Sequence, residues 1–549
     1  MKYLAAILLF CALCAGQTTP NFGFNIPATG APNWGPLLNA NFTKLDGLLS
    51  IASPSIPVEQ FGAVGDWNGT TGTDNTTAIQ NCLNSLTTGF CTLQAKAYKI
   101  TGTLTITKSN VGITGVVPVL VDTGFFVTPP SSVIVSTSTS ADIIDVSGVS
   151  TSNTLSQNVF KNFALQRSVA PSGSAKGLSL SFSYAAIIEN VTCADSIYCF
   201  YFRGVGSMGY GKIENSAAEF GFNGITETSG SLYGFYVDTS GGIFSPSIRI
   251  RNDHVASNLG AGVTTYGYAN VGTLGADWHL LHDETAGVNY GIYFNNSGSG
   301  FTASSDIQIV DPIMDGCLTA CIFSTGLSGS ITVTGGWMNP QGANAVAADF
   351  ESGGVGSMAS FFNTTIFGTG LTGGTAAIIG HNSYNLQLVG NKIQTQTSSI
   401  PAISFNGVTG GTIAGNTVWS TAGTTTLVNL VNTINVPITN NTLNGNSTNG
   451  FVFDSNTHGI AGIETNTCGG SIATITNCVV DSGVNTANFN SGYLSIPVAF
   501  ASLPACSAGL EGLSRAVNNS NTSTYNAAVA GGGANHIVAY CNGSAWVAH

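Results

Sequence analysis

The stretch "IAGNTV" at residues 413–418 decides the fold, because it returns. "LVGNKI" occupies 388–393, "ITNNTL" 438–443 and "IETNTC" 463–468, four hexamers each displaced by 25 residues. Earlier, "IIENVT" (187–192) and "KIENSA" (212–217) are again 25 apart, "IRIRND" (248–253) follows, and "IQIVDPIM" (307–314) matches "ITVTGGWM" (331–338) at an offset of 24. Repeats of 20–50 residues signal solenoids, propellers or arrays. Each unit here is a short alternating strand, a turn at Asn, and another short strand. Helical solenoid repeats are longer and carry a 3.6-residue period, which is absent. Short strands at constant spacing fit a parallel β-helix, with one coil per repeat paired to the coil below.

That architecture gives each letter of the hexamer a task. Alternating Ile, Val and Leu point into the coil, while Thr and Gln alternate outward. Asn tolerates the positive φ of a corner, and its amide can bond the Asn one coil away, as in stacked cross-β ladders. The expected ladder is Asn162, Asn190, Asn215, Asn252, Asn363, Asn391, Asn416, Asn441 and Asn466. Roughly a dozen coils at about 4.8 Å each account for the repeat region.

Composition agrees. Only 7% of the 549 residues are Asp, Glu, Lys or Arg, while Gly supplies 70; ordinary chains are about a quarter charged. Amphipathic helices need charged faces, whereas Thr, Ser, Val, Ile, Gly and Asn suit strands and turns. The fold class expected is all-β.

The start, "MKYLAAILLFCALCAG", has one early Lys, an apolar run and small residues before Gln17, the pattern of a secretory signal over 1–16. The run falls short of the about 20 apolar residues of a membrane anchor, and no later segment has a spanning length. An exported, extracellular protein is expected. Export sets the reading of cysteine. Of the 12 Cys, ten follow the signal and fall into local couples: Cys82 with Cys91, Cys193 with Cys199, Cys317 with Cys321, Cys468 with Cys478, and Cys506 with Cys541. In an oxidising compartment these read as five disulfides. Zinc is the rival, but no CxxC pair has a nearby His. The net charge of −12 speaks against a nucleic-acid partner, which calls for a basic stripe, and also weighs against polyanionic glycans unless calcium or a local basic patch intervenes.

Ahead of the coils stands "VEQFGAVGDWNGTTGTDNTTAIQNCLNSL" (58–86). Asp74 would cap a short helix that carries Ala78, Ile79, Cys82, Leu83 and Leu86 on one face, a cover for the open strand edges of the first coil. Phe61, Gly62, Ala63, Val64, Gly65 and Asp66, then Thr73, Asp74, Thr76, Ala78, Ile79 and Gln80, followed by "AYKITGTLTI" (97–106), resemble the opening motif of the pectate-lyase-like superfamily. Phage tailspikes, rhamnogalacturonase-type enzymes and related epimerases share that motif. The resemblance covers about 58–480 and implies a right-handed parallel β-helix in which Asp66 and Asp74 build the cap. The expected organisation is a leader at 17–56, the β-helix at 57–480 and a small C-terminal β module at 481–549. "NWGPLLNANFTKLDGLL" (33–49) looks like amphipathic leaders of phage-tail-like proteins, and implies either a homotrimer contact or a strap along the coils. "CNGSAWV" in the tail offers an Asn-Gly hairpin turn.

Chemistry is expected where the ladder breaks. Alignment of the coils puts His282 and Asp311 where Asn belongs, with Gly335 following. Around the break lie "RIRNDHV" (249–255), "ADWHLLHDE" (276–284) and "SDIQIVDPIMDG" (305–316), which hold three of the seven His. Sequences break their own local rules mostly at functional or strained sites. The catalytic candidates are Asp253, His254, His282, Asp283 and Asp311; substrate-binding candidates are Trp278, Arg249, Arg251, Glu284 and Asp315. Adjacent rungs lie about 4.8 Å apart and alternate ones about 9.6 Å, against about 5–5.5 Å between the carboxyls of retaining glycosidases and 6.5–9.5 Å for inverting ones. The spacing leans to inversion. The competing reading makes the same Asp and His corner residues that bond backbone. Glu189 and Glu214, with Arg251 on the next rung, read as a surface charge ladder. No cofactor is expected; calcium would need Asp306, Asp311 and Asp315 together, without a loop motif to mark it.

The hydrolase branch of the resembled family typically shows Asn-Thr-Asp, Asp-Asp, Gly-His-Gly and Arg-x-Lys motifs. None stands here, and "NDH" (252–254) is the nearest approach. The expectation is an exported polysaccharide-binding β-helix that acts as a glycan hydrolase through paired carboxylates. A non-catalytic attachment rod or adhesin, and a polysaccharide lyase or uronate epimerase, remain open beside it.

Overall fold

A computed structural model describes residues 17–18, 25–26, 34–51, 55–116, 131–150, 153–204, 212–222, 225, 227, 230–240, 248–272, 277–295, 305–326, 329–351, 357–368, 376–395, 400–469, 475–482 and 497–549. The signal read at 1–16 lies outside them. The chain divides into two compact units, Met1–Thr265 and Tyr266–His549, and each is built of parallel β-coils.

In the first unit the helix Thr76–Ser85 buries Ile79, Cys82 and Leu83. Its N-terminus is held as the sequence suggests, one residue displaced: Asn75 is the cap residue, while the Asp74 carboxylate accepts the Thr76 N–H at 3.0 Å and the Thr101 hydroxyl at 2.6 Å. Asp66 accepts the Thr73 N–H at 2.7 Å and the Thr73 hydroxyl at 2.9 Å. Both acids therefore close the cap. Successive strands Val111–Thr114, Val159–Arg167, Ile187–Ala194, Lys212–Glu214 and Ile248–Arg251 then pair in parallel, coil on coil. A separate helix, Trp34–Ile51, leaves Leu38 and Phe42 exposed.

The second unit shows what "IAGNTV" encodes. Ile413 is one link of a register column Ile309, Val333, Phe361, Leu388, Ile413, Ile438, and Val418 is a link of Met314, Met338, Ile366, Ile393, Val418, Leu443. All twelve side chains are buried. Each rung of these two columns contributes roughly 1.5–3 kcal/mol for a fully buried aliphatic side chain. Beyond the coils, Ser514–Ser520, Asn535–Cys541 and Trp546–Ala548 form an antiparallel sheet over Val517, Val529, Ala539 and Trp546.

All five local cysteine couples are disulfides. In the first unit Cys82 is bonded to Cys91, which ties the cap helix to the strand Gly89–Thr92, and Cys193 is bonded to Cys199. In the second, Cys317 is bonded to Cys321, Cys468 to Cys478, and Cys506 to Cys541. Among the described residues no helix is long and apolar enough to cross a membrane.

The Asn ladder differs from the sequence expectation in an informative way. It is two columns, one residue apart. Asn162, Asn190, Asn215 and Asn252 in the first unit, and Asn363 in the second, take left-handed φ values of 53–62°. From the next coil the left-handed residue is Gly390, then Gly415 and Asn440, because at Gly390 a Cβ would press on the Asn363 carboxamide oxygen. Asn391, Asn416 and Asn441 follow that corner and turn inward. Each amide donates to the next Asn oxygen, at 3.0, 2.9 and 2.8 Å along Asn391–Asn416–Asn441–Asn466. Each also donates to an interior carbonyl, of Phe361, Leu388 or Ile413.

Candidate active site

The residues singled out from the ladder break fall in both units: Arg249, Arg251, Asp253 and His254 in the first, Trp278, His282, Asp283, Glu284, Asp311 and Asp315 in the second. Asp253 is 1% exposed. Its carboxylate accepts the backbone N–H of Ser216 and that of Arg251, the latter at 3.2 Å. Asp283 is also buried and accepts the Leu281 N–H at 2.8 Å. Both occupy the inward position that Asn391 holds in its own coil, so their carboxylates are engaged in closing a corner. Trp278 is 0% exposed and meets Phe294 edge-on at 5.9 Å, which corrects its reading as a substrate-binding residue: strand alternation sends it into the coil.

His282 and Asp311 are the outward corner residues, at φ 58° and 48°. Their side chains are exposed, with Nε2 and the carboxylate 3.5 Å apart. Gly335 continues the column because a Cβ there would collide with the Asp311 carboxylate. Arg251 closes the charge ladder of the first unit: Lys161–Glu189 3.1 Å, Lys212–Glu189 2.9 Å, Lys212–Glu214 2.7 Å and Arg251–Glu214 3.5 Å. Lys212 and Lys161 hold the Glu189 carboxyl below its ordinary value. Arg249 and His254 lie on outward strand positions, and Glu284 is half-buried. Asp315 accepts the amides of Asn339 at 2.9 Å and Gln341 at 3.3 Å. Asp306 instead bonds Ser330 and Gln308. Among the described residues no group of three or more His, Cys, Asp or Glu side chains is placed to hold a metal ion.

A different set converges in the second unit, on the outer face of the coils' third strand, which is Tyr290–Asn295, Ala320–Thr325 and Val346–Glu351 on successive rungs. Tyr266 stacks on Tyr290 at 5.1 Å and Tyr293 on Phe323 at 5.3 Å, with Tyr290 and Tyr293 edge-to-face at 5.0 Å. The Tyr293 column continues, rung by rung, through Phe323 to Asp349 and Ile379. Beside it Ala320, Val346, Ala376 and Ile379 make a small apolar cluster with Tyr290 and Phe323. Asp349 therefore has apolar neighbours on both rungs. Burial pushes its carboxyl up to about 6; Glu351 adds to the rise and His381 opposes it. Its Oδ1 is buried with no hydrogen-bond partner among the described residues.

Glu351 lies two residues further along the strand Val346–Glu351, on the same face. Two residues of strand set the two backbone positions about 6.6 Å apart, from which side-chain reach can attain the 6.5–9.5 Å carboxyl spacing of inverting glycosidases. His381 is the register partner of Glu351 one rung on, and Glu351 also lines a small cavity with Ser324, Ser357, Ser383 and Tyr384. The first unit carries its own aromatic tile, Tyr198 on Tyr233 at 5.0 Å and Tyr201 on Tyr236 at 5.7 Å. Its edge is an Asp238 carboxylate that accepts the Tyr201 hydroxyl at 2.6 Å. Sequence reasoning missed both sets, although "YCFYF" (198–202), "YGFYV" (233–237), "YGYAN" (266–270) and "YGIYF" (290–294) repeat a visible pattern.

These coils define a parallel β-helix protein that displays aromatic and carboxylate side chains on its flank. No family model matches the sequence, and no curated protein does. Among solved structures the chain is similar to the catalytic unit of an α-1,3-glucanase from Streptomyces thermodiastaticus, at 14% identity over 78% of this chain and 70% of that one, TM-score 0.41. It is similar to a mannuronan C-5 epimerase A-module from Azotobacter vinelandii, at 13% identity over 79% and 97%, TM-score 0.36. It is also similar to a tailspike of E. coli bacteriophage HK620 in complex with a hexasaccharide, at 11% identity over 86% and 82%, TM-score 0.47.

Proposed function

We propose that the protein binds polysaccharide along its aromatic columns and hydrolyses it at Asp349 and Glu351 with inversion. The observation that carries this reading is a carboxyl raised to about 6 by burial, beside a second carboxylate, at the end of a stack of aromatic rings. Asp349 gives its proton to the glycosidic oxygen as the C–O bond breaks. Glu351 takes a proton from the water that attacks the anomeric carbon from the other side. A general acid with a pKa of about 6 is lost by ionisation above it, so kcat/KM declines as pH rises through 6.

The test is incubation with a glycan panel, followed by assay of the ends formed. New reducing ends without unsaturation, abolished in Asp349→Asn and Glu351→Gln, support hydrolysis. Unsaturated uronates would establish a lyase, inverted uronate configuration without cleavage an epimerase, and binding without turnover an adhesin. Each of these three outcomes overturns the hydrolytic assignment.

A further inference from the structure

The coils' second strand in the second unit has an outer face that the hydrolytic reading leaves unused. Thr365–Gly368, Lys392–Thr395 and the start of Thr417–Val431 pair in register, so that Phe367, Gln394 and Trp419 form one column and Thr365, Lys392 and Thr417 the next. Alternation along each strand turns all six outward. Phe367 is braced on one side by Trp337, edge-to-face at 6.3 Å. Gln394, between the two rings, makes no side-chain hydrogen bond among the described residues.

Lys392 is the only lysine of the second unit, is exposed, and has no ion-pair partner among the described residues. The lysines of the first unit's coils and cap all have partners: Lys96, Lys161, Lys176 and Lys212 pair with carboxylates. Lys99 and Lys108 donate to carbonyls. A lone cation beside two half-buried aromatic rings is a local attraction for an anion, set against the chain's net charge of −12.

We infer that Phe367 and Trp419 form a clamp for one acidic pyranose, a uronate residue, with Gln394 as its floor and Lys392 as the partner of its carboxylate. Two rungs separate the rings, about 9.6 Å. Two stacking contacts of about 4.5–5 Å each fill that span, with one sugar ring between. Thr365 and Thr417 flank Lys392 with short side chains, which leaves the ammonium free to reach along the strand. The clamp does not depend on Asp349 or Glu351, which stand on the coils' third strand.

The experiment uses the full chain carrying Asp349→Asn and Glu351→Gln, so that no probe is consumed. Calorimetry with oligogalacturonate, oligomannuronate, hyaluronan oligosaccharide and neutral malto-oligosaccharide reads the affinity. At least one acidic probe binds about tenfold more tightly than the neutral one, a preference that salt weakens. Trp419→Ala loses about tenfold on that probe and Trp419→Phe restores most of it. Lys392→Gln removes the preference and leaves neutral binding intact. Failure of every acidic probe to bind, or binding indifferent to both Trp419→Ala and Lys392→Gln, overturns the clamp. Hydrolysis by the parent chain is scored separately, so either reading can fail alone.

Discussion

Replacing Asp349 by Asn removes a charge and almost no volume, so its effect on stability reports the carboxyl's surroundings directly. In the folded chain burial raises this carboxyl from 3.8 to about 6. Two pKa units correspond to about 3 kcal/mol. The side chain remains partly open to solvent, which reduces the expected figure to about 1–2 kcal/mol. The sign follows from linkage. Below about pH 4 the carboxyl is neutral in both the folded and unfolded chain, and its contribution is fully present. Between 4 and 6 the unfolded chain gives up its proton first, so stability falls; above 6 the contribution is gone. Asn stays neutral throughout. Urea unfolding followed by circular dichroism at pH 4, 5, 6 and 7 should show parent and Asp349→Asn together at pH 4, with the variant about 1–2 kcal/mol more stable at pH 7. Hydrolysis in the variant falls by about 10²–10⁴, the range that general acid catalysis supplies. Parallel curves across the window would mean that Asp349 ionises normally in the folded chain. The general-acid assignment would fall with it.

Glu219 is 6% exposed, and burial pushes its carboxyl to about 7 against the opposing charge of His254. Glu219→Gln should therefore remove a loss of stability that sets in as pH rises from about 4.5 to 7, a gain of about 3 kcal/mol at pH 8; no gain there on urea titration refutes it. Asn416→Ala strands the Asn391 N–H and amide and the Leu388 carbonyl, all bonded to Asn416 at 2.7–3.0 Å. At about 1–3 kcal/mol for each orphaned group, a cost of about 3–5 kcal/mol is expected in the denaturation midpoint, and less than about 1 would show the ladder dispensable. The Cys506–Cys541 disulfide spans 35 residues, so chain entropy assigns it about 4 kcal/mol. The variant with both cysteines changed to Ala should expose the C-terminal sheet to limited proteolysis while the coil fragments persist, and unchanged cleavage would contradict this.

The fold was legible because it repeats: a period of 25 in Ile, Val and Asn survives any error at a single position. Disulfides were legible for a related reason, since each couple is close in sequence or staples a terminal module. The site was harder, and the ladder shows why. "GN" in "IAGNTV" and "ND" in "IRIRND" look alike in sequence, yet the left-handed residue is Gly415 in one and Asn252 in the other. That one-residue shift decides whether the next polar side chain faces solvent or the core, because strand side chains alternate with period two. It moved Asp253 and Asp283 indoors, where backbone N–H groups take up their carboxylates. Asp349 was hidden for the opposite reason. Nothing in "VAADFE" (346–351) marks its aspartate, whose carboxyl is pushed up by burial between the rung neighbours Phe323 and Ile379, 26 residues before and 30 after. Such a neighbourhood exists only once the coils are in register. In a solenoid the periodic part of the sequence therefore announces the scaffold, while the chemistry is set by vertical neighbours. The useful search is down each column for a charge between two apolar residues, and in the second unit's aromatic columns that search ends at Asp349.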